Sequence, residues 1–164
     1  MSDERDVVTV ERFIASPPEP IFDLIADPRR HRDIDGSGTV REARDVDPPA
    51  GGSGADTHRL ALGSRFGMSM KMGLPYSMVS TVVEFEENRR LAWQTRGPGP
   101  IGRHVAGRIW RYELEPVDGG TLVRESWDIR QESPFTKPIV RRGAGATRKN
   151  MAATLARIEE IVTA

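Results

Sequence analysis

Residues 107–130 read GRIWRYELEPVDGGTLVRESWDIR, two runs of alternating apolar and polar side chains joined by Asp118-Gly119-Gly120. Asp-Gly between alternating runs is the strongest short-range hairpin signal, so a long antiparallel hairpin is expected here. A two-residue turn at Asp118-Gly119 sets Val117 against Gly120. Counting back, Tyr112 faces Glu125, Trp110 faces Trp127 and Glu113 faces Arg124. A turn at Gly119-Gly120 would shift the pairing by two and keep every face, because successive strand side chains point to opposite sides. One face carries Leu114, Tyr112 and Trp110 with Val123 and Trp127, and belongs inside. The same face carries Glu125 and, followed backwards, Arg108 and His104. Those three polar residues on an otherwise apolar face pose the functional question.

Working outward, Val7 to Ala15 is a β-branched run that stops at Ser16-Pro17-Pro18, where proline ends a ladder. PPEPIFDLIAD then puts Ile21, Phe22, Leu24 and Ile25 on a helical stripe, with Ser16 as the expected N-cap. PRRHRDID gives a second short helix, with His31 on its wet face, before Gly36-Ser37-Gly38 breaks it. Gly38 to Asp45 is a further strand, and 47–56 is a loop by composition. In RFGMSMKM, Phe66, Met68, Met70 and Met72 alternate with polar residues and glycine, a half-buried strand with a soft inner face. Tyr76 to Glu86 and Leu91 to Thr95 add two strands, making a consecutive, mainly antiparallel sheet. At the end, Val140, Ala144, Thr147, Met151, Leu155, Ile158 and Val162 recur at steps of three and four, a long amphipathic helix. Its first half holds Gly143 and Gly145, which either allow close approach to the sheet or leave space for a guest.

The chain has 164 residues, 24 basic and 24 acidic, and no cysteine. That length suits a single domain over 1–164 with an ample core. Balanced charge argues against a nucleic-acid partner. The lack of cysteine removes disulfides and thiolate chemistry and fits a reducing, cytoplasmic setting. The start has no signal-peptide core, and no apolar run reaches a membrane span. His31, His58 and His104 form no metal-binding spacing, no GxSxG elbow is present, and GGSG at 51–54 lacks the lysine of a phosphate loop. No metal or cofactor is expected, and no exposed apolar patch is evident.

Strand, two short helices, six strands and a long terminal helix, with VTVERFIASPPEPIFDLIADPRRH, RRLAW at 89–93 and WRYELEPVDGGTLVRESWD at 110–128, resemble the START-like or SRPBCC superfamily, in its polyketide cyclase/dehydrase and lipid-transport branch. The resemblance implies an α+β helix-grip fold: a curved antiparallel sheet of about seven strands around a long C-terminal helix, with two short helices after strand one. It also implies a cavity between sheet and helix for a hydrophobic small molecule. It carries over no catalytic residue, since such folds host many functions.

The inner-face reading nominates Phe66, Met68, Met70, Trp93, Arg108, Trp110, Tyr112, Val123, Glu125, Trp127, Met151 and Leu155 as lining residues, each of which could equally be plain core. A carboxyl among aromatic rings is desolvated, which raises its pKa unless a cation compensates. Glu125 is therefore either an acid/base group or an architectural hydrogen-bond partner of Tyr112. Arg108 is its partner, a ligand anchor, or a rim residue with its head in water. Arg108 lies four residues from Tyr112, roughly 13 Å along a strand, so two ends of a polar track are expected in place of a pair. His104, nearest the GPGP loop, belongs at the rim. Three functions follow: binding of a lipid, polyketide or aromatic metabolite; an aromatase/cyclase-type enzyme using Glu125, Arg108, Tyr112 or His104; or a chaperone-activator-like interaction module.

Overall fold

The computed structural model describes residues 4–47, 58–72, 74–102 and 104–164. Seven strands form one sheet: β1 (Val7–Ile14), β2 (Val40–Asp47), β3 (Arg65–Met72), β4 (Leu74–Glu86), β5 (Arg90–Arg96), β6 (Ala106–Val117) and β7 (Gly120–Asp128), in the order β1-β7-β6-β5-β4-β3-β2. Every neighbouring pair is antiparallel. Strands β2 to β7 run as the consecutive meander expected. The exception is β1, which crosses to lie beside β7 and gives the hairpin a partner on its open side. The segment expected as a loop at 47–56 lies, beyond Asp47, outside the described residues.

The hairpin register is the one the Asp118-Gly119 turn dictates. Val117 pairs with Gly120, Tyr112 with Glu125, Trp110 with Trp127 and Glu113 with Arg124. Gly119 has φ 82°, a left-handed conformation that glycine adopts without a Cβ penalty. The first helix, α1 (Pro18–Ile25), begins one residue later than a Ser16 cap would place it. Pro17, at φ −62° and ψ 162°, occupies the N-cap, and the Ser16 hydroxyl donates to the Pro17 carbonyl. Proline at N1 is favoured because its ring already holds a helical φ. A 3-10 turn at Pro28–Arg30 leads into α2 (His31–Ile34). A short helix, α3 (Gly99–Gly102), stands where only a GPGP loop was expected.

The terminal helix is two helices, α4 (Lys137–Arg142) and α5 (Ala144–Val162), broken at Gly143. The heptad-like spacing ran through the break because Val140 packs on the same cluster as Ala144 and Met151. Close approach to the sheet does not account for Gly145, which is exposed with nothing near its missing Cβ. The close approach is made by Gly36, where a Cβ would sit 2.1 Å from the Asn150 carbonyl oxygen of α5. The Gly36 amide also donates to Thr154 Oγ1 at 2.9 Å. Met151, Leu155 and Ile158 of α5 are buried against the sheet and α1, each worth about 1.5–3 kcal/mol of burial. The outer surface holds some large exposed apolar side chains: Phe135 is 91% exposed and Ile139 70%.

Candidate functional site

The inner face of the hairpin takes its composition from register. β1 sets Val10 against Glu125 and Val8 against Trp127, while β5 sets Leu91 against Tyr112 and Trp93 against Trp110. Glu125 is thus enclosed by a strand on each side and is only 3% exposed. Tyr112 Oη donates to its Oε1 at 3.0 Å. Its other oxygen, Oε2, is buried and has no partner among the described residues. Burial pushes the carboxyl up to about 8; the Tyr112 hydroxyl pulls the other way, and the Asp35 charge adds to the rise. At neutral pH Glu125 is therefore mostly a neutral acid inside the fold. The Tyr112 phenol is driven upward as well, first by burial and then by Glu125.

Arg108 does not pair with Glu125. It contacts Glu132 at 3.3 Å, a carboxylate whose side chain is fully buried just past β7. Thr136 Oγ1 donates to the same Glu132 oxygen at 2.7 Å. Arg108 Nε and Glu132 Oε2 are both buried without a partner among the described residues. The sequence reading missed Glu132 because it follows the strand, where alternation no longer tells inside from outside. It also missed Ser80 and Thr95, buried and hydrogen bonded to each other at 2.9 Å. These two were findable: they continue the inner alternation of Val82 and Trp93 by one step. The bulge between Gln94 and Arg96 sets Thr95 opposite the backbone of Gly107 and Arg108.

Of the nominated lining residues, Phe66, Trp93, Tyr112, Val123, Trp127, Met151 and Leu155 are buried. They divide between two packed clusters, with Trp110 half-buried and touching both. Met68 and Met70 belong to β3 by backbone, and their side chains lie outside those described. His104 is exposed in the turn before β6, with its amide donating to the Ile101 carbonyl; the strand starts too late to carry it inward. His31 is the larger correction. It is 5% exposed, its Nε2–H donates to the Ile25 carbonyl at 2.9 Å, and its ring stacks on Trp93 at 5.1 Å. The 3-10 turn rotates α2 so that this residue, and not the flanking arginines, meets the core. Burial holds its pKa below the usual value, so the ring is neutral.

On the opposite face of the same strands the charges are matched. Arg111 donates to both oxygens of Glu84, Arg124 bonds Glu11 at 2.6 Å, Arg90 bonds Glu113 at 2.8 Å, and Arg130 bonds Asp128. An open cleft of about 250 Å³ on that face is lined by Glu84, Gln94, Arg111 and Asp128 among others. Among the described residues no group of His, Asp or Glu is arranged to hold a metal, and no helix is long and apolar enough to cross a membrane.

A family model described as polyketide cyclase/dehydrase and lipid transport matches residues 5–163. The chain belongs to that family. It is 37% identical over 117 residues to the uncharacterized protein Rv0088 of Mycobacterium tuberculosis, covering 70% of this chain and 44% of that protein, so it spans less than half the length of that relative. Among solved structures, protein NE0264 of Nitrosomonas europaea superposes with a TM-score of 0.69 at 16% identity, over 98% of this chain and 96% of that one. The di-domain ARO/CYC StfQ from the steffimycin biosynthetic pathway gives 0.69 at 11% identity, over 99% of this chain and 52% of that one. Those likenesses establish the helix-grip fold, a curved antiparallel sheet with a terminal helix across it.

Proposed function

We propose that this protein binds a hydrophobic small molecule, a lipid, polyketide or aromatic metabolite, between the inner face of the sheet and α5. The observation that carries the reading is Glu125: a buried carboxyl with one oxygen bonded to Tyr112 and the other unspent. A purely architectural carboxyl would have both oxygens satisfied, because leaving a buried polar atom unpaired costs about 1–3 kcal/mol. A guest with one polar atom removes that cost and keeps its apolar body among Trp93, Trp110 and Trp127. Membership of a family described by cyclisation and lipid transport supports the same class of ligand.

A second reading is an aromatase/cyclase-type enzyme, and the protonation of Glu125 favours it. A carboxylic acid with its pKa near 8 can protonate a carbonyl oxygen and later recover the proton, the shuttle that aldol condensation and dehydration require. Tyr112, whose phenol keeps its proton, would hold the acid in place. The ARO/CYC neighbour supports the reading at the level of fold.

The test is titration of an apolar fluorophore while tryptophan emission is followed, together with native mass spectrometry of the protein as purified. Saturable quenching, or a copurified small molecule, is the expected result. Unchanged emission at saturating probe with no adduct would overturn the reading and turn attention to the exposed Phe135 and Ile139 as a protein-interaction surface. The two readings separate on turnover: a carrier leaves a poly-β-ketone substrate unchanged, whereas an enzyme converts it and loses that conversion, with affinity kept, in Glu125→Gln.

A further inference from the structure

Resting on the reading that the inner face holds a guest, we propose that Arg108 and Glu132 form a hydroxyl-binding subsite at its far end. The ligand is then an elongated apolar molecule with a carbonyl at the Glu125 end and a hydroxyl at the other. Buried Arg–carboxylate pairs are frequently bidentate, with two parallel hydrogen bonds. This pair uses one, at 3.3 Å, between Nη2 and Oε1. The two atoms that a bidentate pair would have spent, Arg108 Nε and Glu132 Oε2, are buried and unpartnered among the described residues. Thr136 fixes the carboxylate by its other oxygen, which holds Oε2 in place for something else.

What remains is one unspent donor on the arginine and one unspent acceptor on the carboxylate it contacts. A hydroxyl satisfies both, accepting from Nε–H and donating to Oε2. An ammonium could not accept from the arginine, and a carboxylate would meet the oxygens of Glu132. The surroundings suit a hydroxyl too, since the bonded pair of Ser80 and Thr95 lies buried across the bulge from Arg108. At the other end Glu125, as an acid, has a proton to give a carbonyl. Arg108 and Tyr112 are four residues apart on β6, roughly 13 Å, which sets the separation of the ligand's two polar groups. Arg108 is 27% exposed by its side chain, so this end of the guest enters last or leaves first.

The experiment compares three probes by tryptophan quenching at one pH: anthraquinone, a hydroxyanthraquinone with its hydroxyl on a terminal ring, and the methyl ether of the latter. The hydroxyl compound is expected to bind about ten-fold tighter than the other two, the worth of one well-made buried hydrogen bond. The ether accepts but cannot donate to Oε2. In Glu132→Gln the preference for hydroxyl over ether should fall towards one while affinity for the parent quinone holds. Equal binding of hydroxyl and ether by the natural protein, or an unchanged preference in Glu132→Gln, overturns the subsite. Should Glu132→Gln fail to fold, the probe ratios in the natural protein and in Arg108→Lys decide. If the parent quinone binds without discrimination, only this subsite falls. If neither the quinones nor an apolar fluorophore bind, the guest reading itself has failed, and the subsite with it.

Discussion

The two faces of the β6–β7 hairpin carry charge on opposite terms. On the outer face Arg111, Arg124, Glu113 and Asp128 sit in a lattice of ion pairs, partly wet, with bidentate contacts where geometry allows. On the inner side Glu125, Arg108 and Glu132 are fewer and incompletely paired. The three buried polar side-chain atoms found without partners among the described residues all belong to them. Water forgives an incomplete hydrogen bond on the outer face, but nothing does so inside. Saturated charge reads as architecture, and unsaturated buried charge reads as a place kept for another molecule.

The largest effect expected is on the inner side. Arg108→Met leaves the fully buried Glu132 carboxylate with Thr136 alone, and should cost about 3 kcal/mol, towards the low end for a broken buried pair because the arginine head reaches solvent. Combined with Glu132→Gln the loss should be largely recovered. Combined with Glu125→Gln the effects should add within about 0.5 kcal/mol, since those two residues share no contact. Denaturant unfolding of the two cycles checks this, and strong coupling between Arg108 and Glu125 would show that the two charges act as a pair.

Next comes pH. The unfolded chain releases the Glu125 proton near 4.5 and the folded chain near 8, so between those values the unfolded state binds fewer protons and stability falls as pH rises. The slope is at most about 1.4 kcal/mol per pH unit. Glu125→Gln abolishes this slope, so its stability relative to the natural protein should be level below pH 4.5 and climb from there to pH 8. His31, with its lowered pKa, destabilises the fold as pH drops below 6.5, but does so in both proteins and cancels in the difference. Urea midpoints across that range give the answer; a flat difference would mean that Glu125 ionises normally.

The smallest effects belong outside. Arg124→Ala or Glu113→Gln should change stability by less than about 1 kcal/mol, as exposed pairs do, and should leave probe affinity alone. A loss of binding from either would erase the contrast between the faces.

The sequence displayed the hairpin in full, because two-residue turn chemistry and strict alternation fix register and faces together. Glu125 and Tyr112 met as that register required. The meander and the apolar stripe of α5 were equally legible. Other features were hidden for physical reasons. The break at Gly143 was masked because Val140 of α4 packs, half-buried, on the cluster that holds Ala144 and Met151 of α5, so the period passes through the kink. His31 looked solvated because its neighbours Arg29, Arg30 and Arg32 are, and only the three-dimensional turn at Pro28 shows which side chain rotates inward. Glu132 lies after the alternation ends, where no period assigns a face. Local pattern thus found the inner acid and its tyrosine, and chain reversal supplied the partner of Arg108.

The central claim is that Glu125 is kept as a neutral acid with an oxygen reserved for a guest. Carbon-detected NMR of the glutamate side-chain carboxyls, assigned by the loss of one resonance in Glu125→Gln, reads it directly. The account predicts a carboxyl that titrates with a midpoint near pH 8 and whose resonance and midpoint both move when an apolar carbonyl-bearing probe saturates the protein. A midpoint in the ordinary carboxylate range, unmoved by saturating probe, would contradict it.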